Sequence, residues 1–126
     1  MTPEYLFAMH SAYTACALWS STDDNGDPLD ESGLDIESET LDAMYEDCAD
    51  FCQLVEREGF DLEALAALGC DAAQMGHDFW LTRNGHGAGF WDRGYPDDIG
   101  ERLTALAKPY STRELYIGDD DQVYQV

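Results

Sequence analysis

"GHDFWLTRNGHGAGFWDRG", residues 76–94, is the most patterned stretch of this chain, and the fold turns on how it is read. It holds two Phe-Trp or Phe-Trp-Leu runs, two histidines, and an Asn-Gly step between apolar segments. Asn-Gly flanked by apolar residues is the strongest short-range signal for a β-hairpin, because both residues tolerate the positive φ of a tight turn. The pattern therefore predicts strands in "DFWLTR" and "AGFWDR" joined through "NGHG". Alternation then places Phe79, Leu81 and Arg83 on one face and Trp80 and Thr82 on the other. The glycines at 85, 87, 89 and 94 read as turn and close strand approach.

Downstream, "YPDDIGERLTALAKPY" predicts a helix with acids in its first turn and Lys108 in its last, matching the helix dipole. "ELYIGDDDQVYQV" predicts a second hairpin, with Leu115, Tyr116 and Ile117 facing Val123, Tyr124 and Val126. Upstream, Thr2 as N-cap and Pro3 at the first helical position open a helix that ends near Trp19. Its inward stripe is Tyr5, Leu6, Met9, Tyr13 and Cys16. Residues 20–37 form a loop that only Leu29, Leu34 and Ile36 can anchor. A second helix spans Ser38 to Glu58, closed by Gly59, with Leu41, Met44, Tyr45, Cys48, Cys52 and Val55 inward. A third lies in "FDLEALAALG", capped by Asp61 and stopped by Gly69. The expectation is one α+β domain of 126 residues. Its acidic helical half, residues 1–70, packs with a small antiparallel sheet of two hairpins separated by a helix, residues 71–126.

Charge sets the function classes. There are 27 acidic residues against 6 basic ones, for a formal net charge of -21. Phosphate-rich surfaces repel such a chain, which excludes nucleic acid and anionic membranes as direct partners and favours a cationic one. No run of eighteen apolar residues is present, and no Lys or Arg precedes the apolar N-terminal segment. That segment reads as a helix of a cytoplasmic protein and not as a signal peptide or membrane span.

No cofactor or metal is expected. Cys16, Cys48, Cys52 and Cys70 form no C-x-x-C pair and read as buried small hydrophobes. Cys70, His77 and His86 match no zinc spacing. Aligning Gly26 with the invariant glycine of a calcium loop puts Ser21 and Ser32 where an acid and a bidentate Glu are needed. His77, Asp78, His86, Asp92 and Arg93 could do acid–base work, but no nucleophile motif accompanies them. An enzyme centred on His77, Asp78 and His86 is the lesser reading.

From Glu4 to Glu56 the chain carries fourteen acids and no Lys or Arg. Asp42, Glu46 and Asp50 stand at i, i+4 and i+8, one row on a helix face with steps of about 6 Å. Like charges so placed oppose the helix, and no i+4 lysine relieves them. The candidate partner-binding residues are therefore Asp23, Asp24, Asp27, Asp30, Glu31, Asp35, Glu37, Glu39, Asp42, Glu46, Asp47 and Asp50, acting as phosphate surrogates. A basic DNA-binding groove would accept such a surface. A solvated or salt-adapted face, and an acidic module for a basic partner or sister subunit, are the competing readings.

The 76–94 block, with "LTALAKPY" and "LYIGDDDQVY", resembles small bacteriophage and mobile-element proteins of unassigned role over roughly residues 60–126. By size and charge the chain also resembles the DNA-mimicking anti-CRISPR and anti-restriction proteins of phages. That second resemblance implies a non-enzymatic inhibitor whose partner is a CRISPR surveillance complex or restriction enzyme of the host bacterial cytoplasm.

Overall fold

A side-chain oxygen starts four of the five helices in the computed structural model, which describes residues 1–126. Thr2 accepts from the Tyr5 amide to open α1, Pro3–Ser20. Glu37 accepts from the Glu39 and Thr40 amides to open α2, Ser38–Arg57. Asp61 opens α3, Leu62–Ala67, and Asp71 opens α4, Ala72–Arg83. Each satisfies backbone donors that have no partner inside the helix. Only α5, Ile99–Ala107, lacks such a cap. The chain closes with β1, Leu115–Ile117, and β2, Val123–Gln125.

The protein is α+β, but its sheet is one antiparallel hairpin and not two. The 76–94 block does not form the expected hairpin. Its first half is the body of α4, and "FWD" is a single 3₁₀ turn, Phe90–Asp92. Asn84-Gly85 is a helix stop. Gly85, at φ 68°, donates to Thr82 O, and His86 donates to Leu81 O, the paired bonds of a Schellman ending. The same dipeptide that tolerates a hairpin turn tolerates this left-handed cap.

Burial explains why α4 hid its period. Met75, Gly76, Asp78, Phe79, Trp80, Leu81, Thr82 and Arg83 are all buried, and because Asp78, Thr82 and Arg83 among them are polar, polarity does not mark an outer face. Gly76 lets α1 lie directly on α4, since a Cβ there would sit 2.0 Å from the Met9 carbonyl oxygen. Phe79 stacks on Phe51 of α2 with ring centroids 4.2 Å apart and planes 6° from parallel. Tyr13, Trp80 and Tyr110 pack round that pair.

α1 buries Leu6, Met9, Tyr13, Cys16 and Ala17, close to the expected stripe. On α2, Met44, Cys48, Cys52 and Val55 face inward as expected, but Tyr45 is exposed and Phe51 takes the core position. All four cysteines are free and buried. Burial pushes the Cys16 thiol up to about 12 and those of Cys52 and Cys70 up to about 11.

The 20–37 segment is held in place. Thr22 bridges Pro28, Leu29 and Ile36 are buried, and Leu34 packs on the core. Val123 donates to Asp35 O and Glu37 donates to Val123 O, both at 2.9 Å, so the segment runs beside β2. In the hairpin, Leu115 pairs with Gln125, Tyr116 with Tyr124 and Ile117 with Val123, while Val126 donates to Glu114 O just before β1 and faces none of the three expected partners. No helix is long and apolar enough to cross a membrane.

Candidate functional site

The helical period of α2 turns Asp42, Glu46 and Asp50 to solvent along one side, with exposed Tyr45 beside Glu46. The opposite side of the helix is fully buried at Met44, Cys48, Phe51, Cys52 and Val55, so the row stands on a fixed support. Asp50 Oδ2 accepts from the Tyr110 hydroxyl at 2.6 Å, which orients the carboxylate.

The twelve candidate acids divide by role. Asp23 accepts from the Asn25 and Asp27 amides and organises its own turn. The carboxylate of Glu37 caps α2, and the Glu39 and Thr40 amides hold it below the usual carboxylate range. Asp47 is drawn inward, its Oδ2 accepting from Arg83 Nη1 at 2.8 Å. The other nine, Asp24, Asp27, Asp30, Glu31, Asp35, Glu39, Asp42, Glu46 and Asp50, are exposed.

Arg83 was expected on a strand face and is instead buried at the end of α4. It donates to Tyr13 Oη, Asp47, Ser111 O and Tyr110 O, and its guanidinium lies over the Phe79 and Tyr110 rings. Arg93 donates from Nε and Nη2 to the fully buried Asp78. Arg102 donates to Glu58 O and lies over the Phe60 ring, so three of the six basic side chains are engaged within the protein. Of the 27 acids only Glu56 (with the N-terminus), Asp47 and Asp78 have a cationic partner besides histidine, and the other 24 have none.

Such uncompensated charge repels itself. Raising NaCl from about 0.05 M to 0.5 M shortens the screening length to a few ångströms and is expected to raise the melting temperature by about 4 °C, roughly 1 kcal/mol. A calorimetric salt series checks this, and a flat or falling series would show that the carboxylates do not strain the fold.

The acid is not confined to α2 and the 20–37 segment. Asp61, Glu63, Asp92, Asp97, Asp98 and Glu101 are also exposed, as are Asp119 to Asp121 in the turn between β1 and β2. The positive charge is what differs between the two parts of the chain.

The histidines of the 76–94 block do not diverge. His77 and His86 line one open cleft of about 510 Å³, together with Trp19, Leu81 and Arg93. His77 Nδ1 lies 3.1 Å from Asp78 Oδ1, an arrangement that orients the imidazole. Asp92 is exposed on the 3₁₀ turn. The Ser20 hydroxyl at this cleft donates to Cys16 O and accepts from Trp80 Nε1. No group of three or more His, Cys, Asp or Glu side chains is placed to hold a metal ion.

The row on α2 was readable from i, i+4 spacing. The Tyr110 partner of Asp50, the Arg83 partner of Asp47, and the place of Trp19 beside His77 were not, because each joins residues from distant parts of the chain. Compared with known proteins, the chain matches no family model, no curated protein and no solved structure.

Proposed function

We propose that the protein is a non-enzymatic inhibitor that occupies the basic, nucleic-acid-binding surface of another protein in the place of DNA. The observation that carries this reading is the row Asp42, Glu46 and Asp50, exposed and without a cationic partner on a helix whose other face is locked into the core. Carboxylates on a rigid helix lose little freedom on binding, which favours them over a mobile acidic tail. A line of negative charge at steps of about 6 Å suits a groove built to track a phosphate backbone. The ordered 20–37 segment adds Asp24, Asp27, Asp30, Glu31 and Asp35 to the same end of the chain. Tyr45 supplies an aromatic group that a partner can desolvate. The partner class is a host defence complex of the bacterial cytoplasm, a CRISPR surveillance complex or a restriction enzyme, as the resemblance to acidic phage inhibitors implies.

The spread of carboxylates over the remaining faces favours a second reading, a salt-adapted or generally solvated surface with no dedicated partner. An acidic module for a basic protein unrelated to DNA is the third. A pull-down from host lysate at low salt separates them. The bait is the wild type or a variant with Asp42→Asn, Glu46→Gln and Asp50→Asn, each with and without competing duplex DNA. Mimicry predicts capture of a nucleic-acid-binding complex, lost with DNA and lost with the variant. Capture that ignores both DNA and the variant contradicts mimicry. Capture lost with the variant but not with DNA points to the acidic module.

A further inference from the structure

The cleft between the end of α1 and the glycine-rich turn after α4 is chemically unlike the rest of the surface. In a protein with 27 acids, none of its lining residues is acidic. His77, His86 and Arg93 face it instead. Trp19 stands at its edge, 61% exposed, with its ring 6.4 Å from that of His77 and 30° from parallel. An indole so exposed, beside an imidazole, offers an apolar face on which a second ring can stack.

The frame of the cleft is built and fixed. Buried Asp78 holds both Arg93, through Nε and Nη2, and His77, through Nδ1. This leaves Arg93 Nη1 with no protein acceptor and His77 Nε2 free of protein partners. The turn bearing His86 is tied down by the Schellman bonds and by the Phe90 amide donating to Thr82 Oγ1. Gly87 presents no side chain, and a Cβ built there meets nothing within 4 Å. The volume of about 510 Å³ lies within the range of small-molecule sites.

We propose that this cleft binds a small planar aromatic ligand carrying an anionic oxygen group. The ring stacks on Trp19 beside His77, and the anionic oxygens accept from Arg93 Nη1 and from the His86 imidazole. The Asp78 carboxylate lies buried behind the donors and is already bonded to Arg93 and His77, so the anion is recognised at short range by Arg93 Nη1 and His86, while the repulsion of the more distant carboxylates is screened within about 8 Å at physiological salt. The site is separate from the α2 row, so it stands or fails independently of the inhibitor reading. A free nucleotide and an aromatic carboxylic acid share this chemistry.

Adenosine monophosphate and indole-3-acetate are the probes, each titrated into the intact protein at physiological salt while amide and indole N–H resonances are followed. Adenosine serves as the uncharged comparison. The expected result is saturable shifts at the Trp19 indole and at residues 86–88 with one or both anionic probes, at least tenfold weaker with adenosine. Saturation by adenosine monophosphate alone identifies a nucleotide site, and by indole-3-acetate alone an aromatic-acid site. Trp19→Ala, which removes a largely exposed ring, and Gly87→Leu, where an added Cβ meets nothing within 4 Å, each weaken binding at least tenfold with little change in melting temperature. His86→Ala weakens it for the anionic probes but not for adenosine. Absence of saturable shifts with both anionic probes up to about 5 mM overturns the proposal, as does binding unchanged in both the Trp19 and Gly87 variants.

Discussion

Gly76→Ala is expected to destabilise the protein by at least about 3 kcal/mol, although helix propensity alone argues the opposite. Gly76 lies inside α4, where exchanging glycine for alanine gains about 1 kcal/mol in an exposed helix. Here the added Cβ would sit 2.0 Å from the Met9 carbonyl oxygen and 2.9 Å from the Met9 carbonyl carbon. Both are backbone atoms of α1, so no rotamer change relieves the clash. The two helices must separate, and the separation opens the packing around Tyr13 and Phe79. Overpacking of this kind costs more than the propensity gain. Urea unfolding checks it: a midpoint that falls steeply supports direct helix-on-helix packing, and one that rises shows that α1 and α4 are not in contact at Gly76.

Arg83→Met, which keeps the apolar stem, is expected to cost about 4 kcal/mol. The substitution removes four hydrogen bonds and leaves the Tyr13 hydroxyl, in a fully buried side chain, without its partner. Arg83→Lys restores little, because an ammonium cannot span Tyr13, Asp47 and two carbonyls with one fork. Asp47→Asn should cost only about 1 kcal/mol, since Asp47 is 29% exposed and water can take its place. This ordering distinguishes a guanidinium hub from a simple ion pair, in which both partners would matter equally. Equilibrium unfolding of the three variants reads it directly.

These two positions also show where the amino-acid sequence was legible. Thr2-Pro3 and Asp61 announce helix starts, and Gly59 and Gly69, at φ 94° and 101°, announce stops, because capping is local chemistry. The C-terminal hairpin was readable from its apolar runs. α4 was not, since burial on nearly every side erased its period, and Asn84-Gly85 suits a helix stop as well as a hairpin turn. The overlooked signal was Asp71, three residues before the Gln74 amide that it caps.

The candidate site divides in the same way. The row on α2 follows from spacing alone, so it was visible. That Asp47 is turned inward by Arg83, 36 residues away, and Asp50 tied to Tyr110, 60 residues away, is tertiary information. The cleft of Trp19, His77 and His86 likewise exists only once α1 lies on α4. The local pattern of the 76–94 block pointed to useful groups but not to the indole that completes their surroundings.

The claim that α2 stands in for a DNA strand is tested most directly by competition. A complex of the captured partner with labelled duplex DNA is titrated with the wild type, and DNA release is followed by fluorescence anisotropy. The account predicts full displacement, with the apparent Kd for DNA rising in proportion to the concentration of the protein. The variant combining Asp42→Asn, Glu46→Gln and Asp50→Asn should require at least about tenfold more protein, or roughly 1.4 kcal/mol. A partner that holds the protein and the duplex together in one ternary complex, or a variant that competes as well as the wild type, would contradict it.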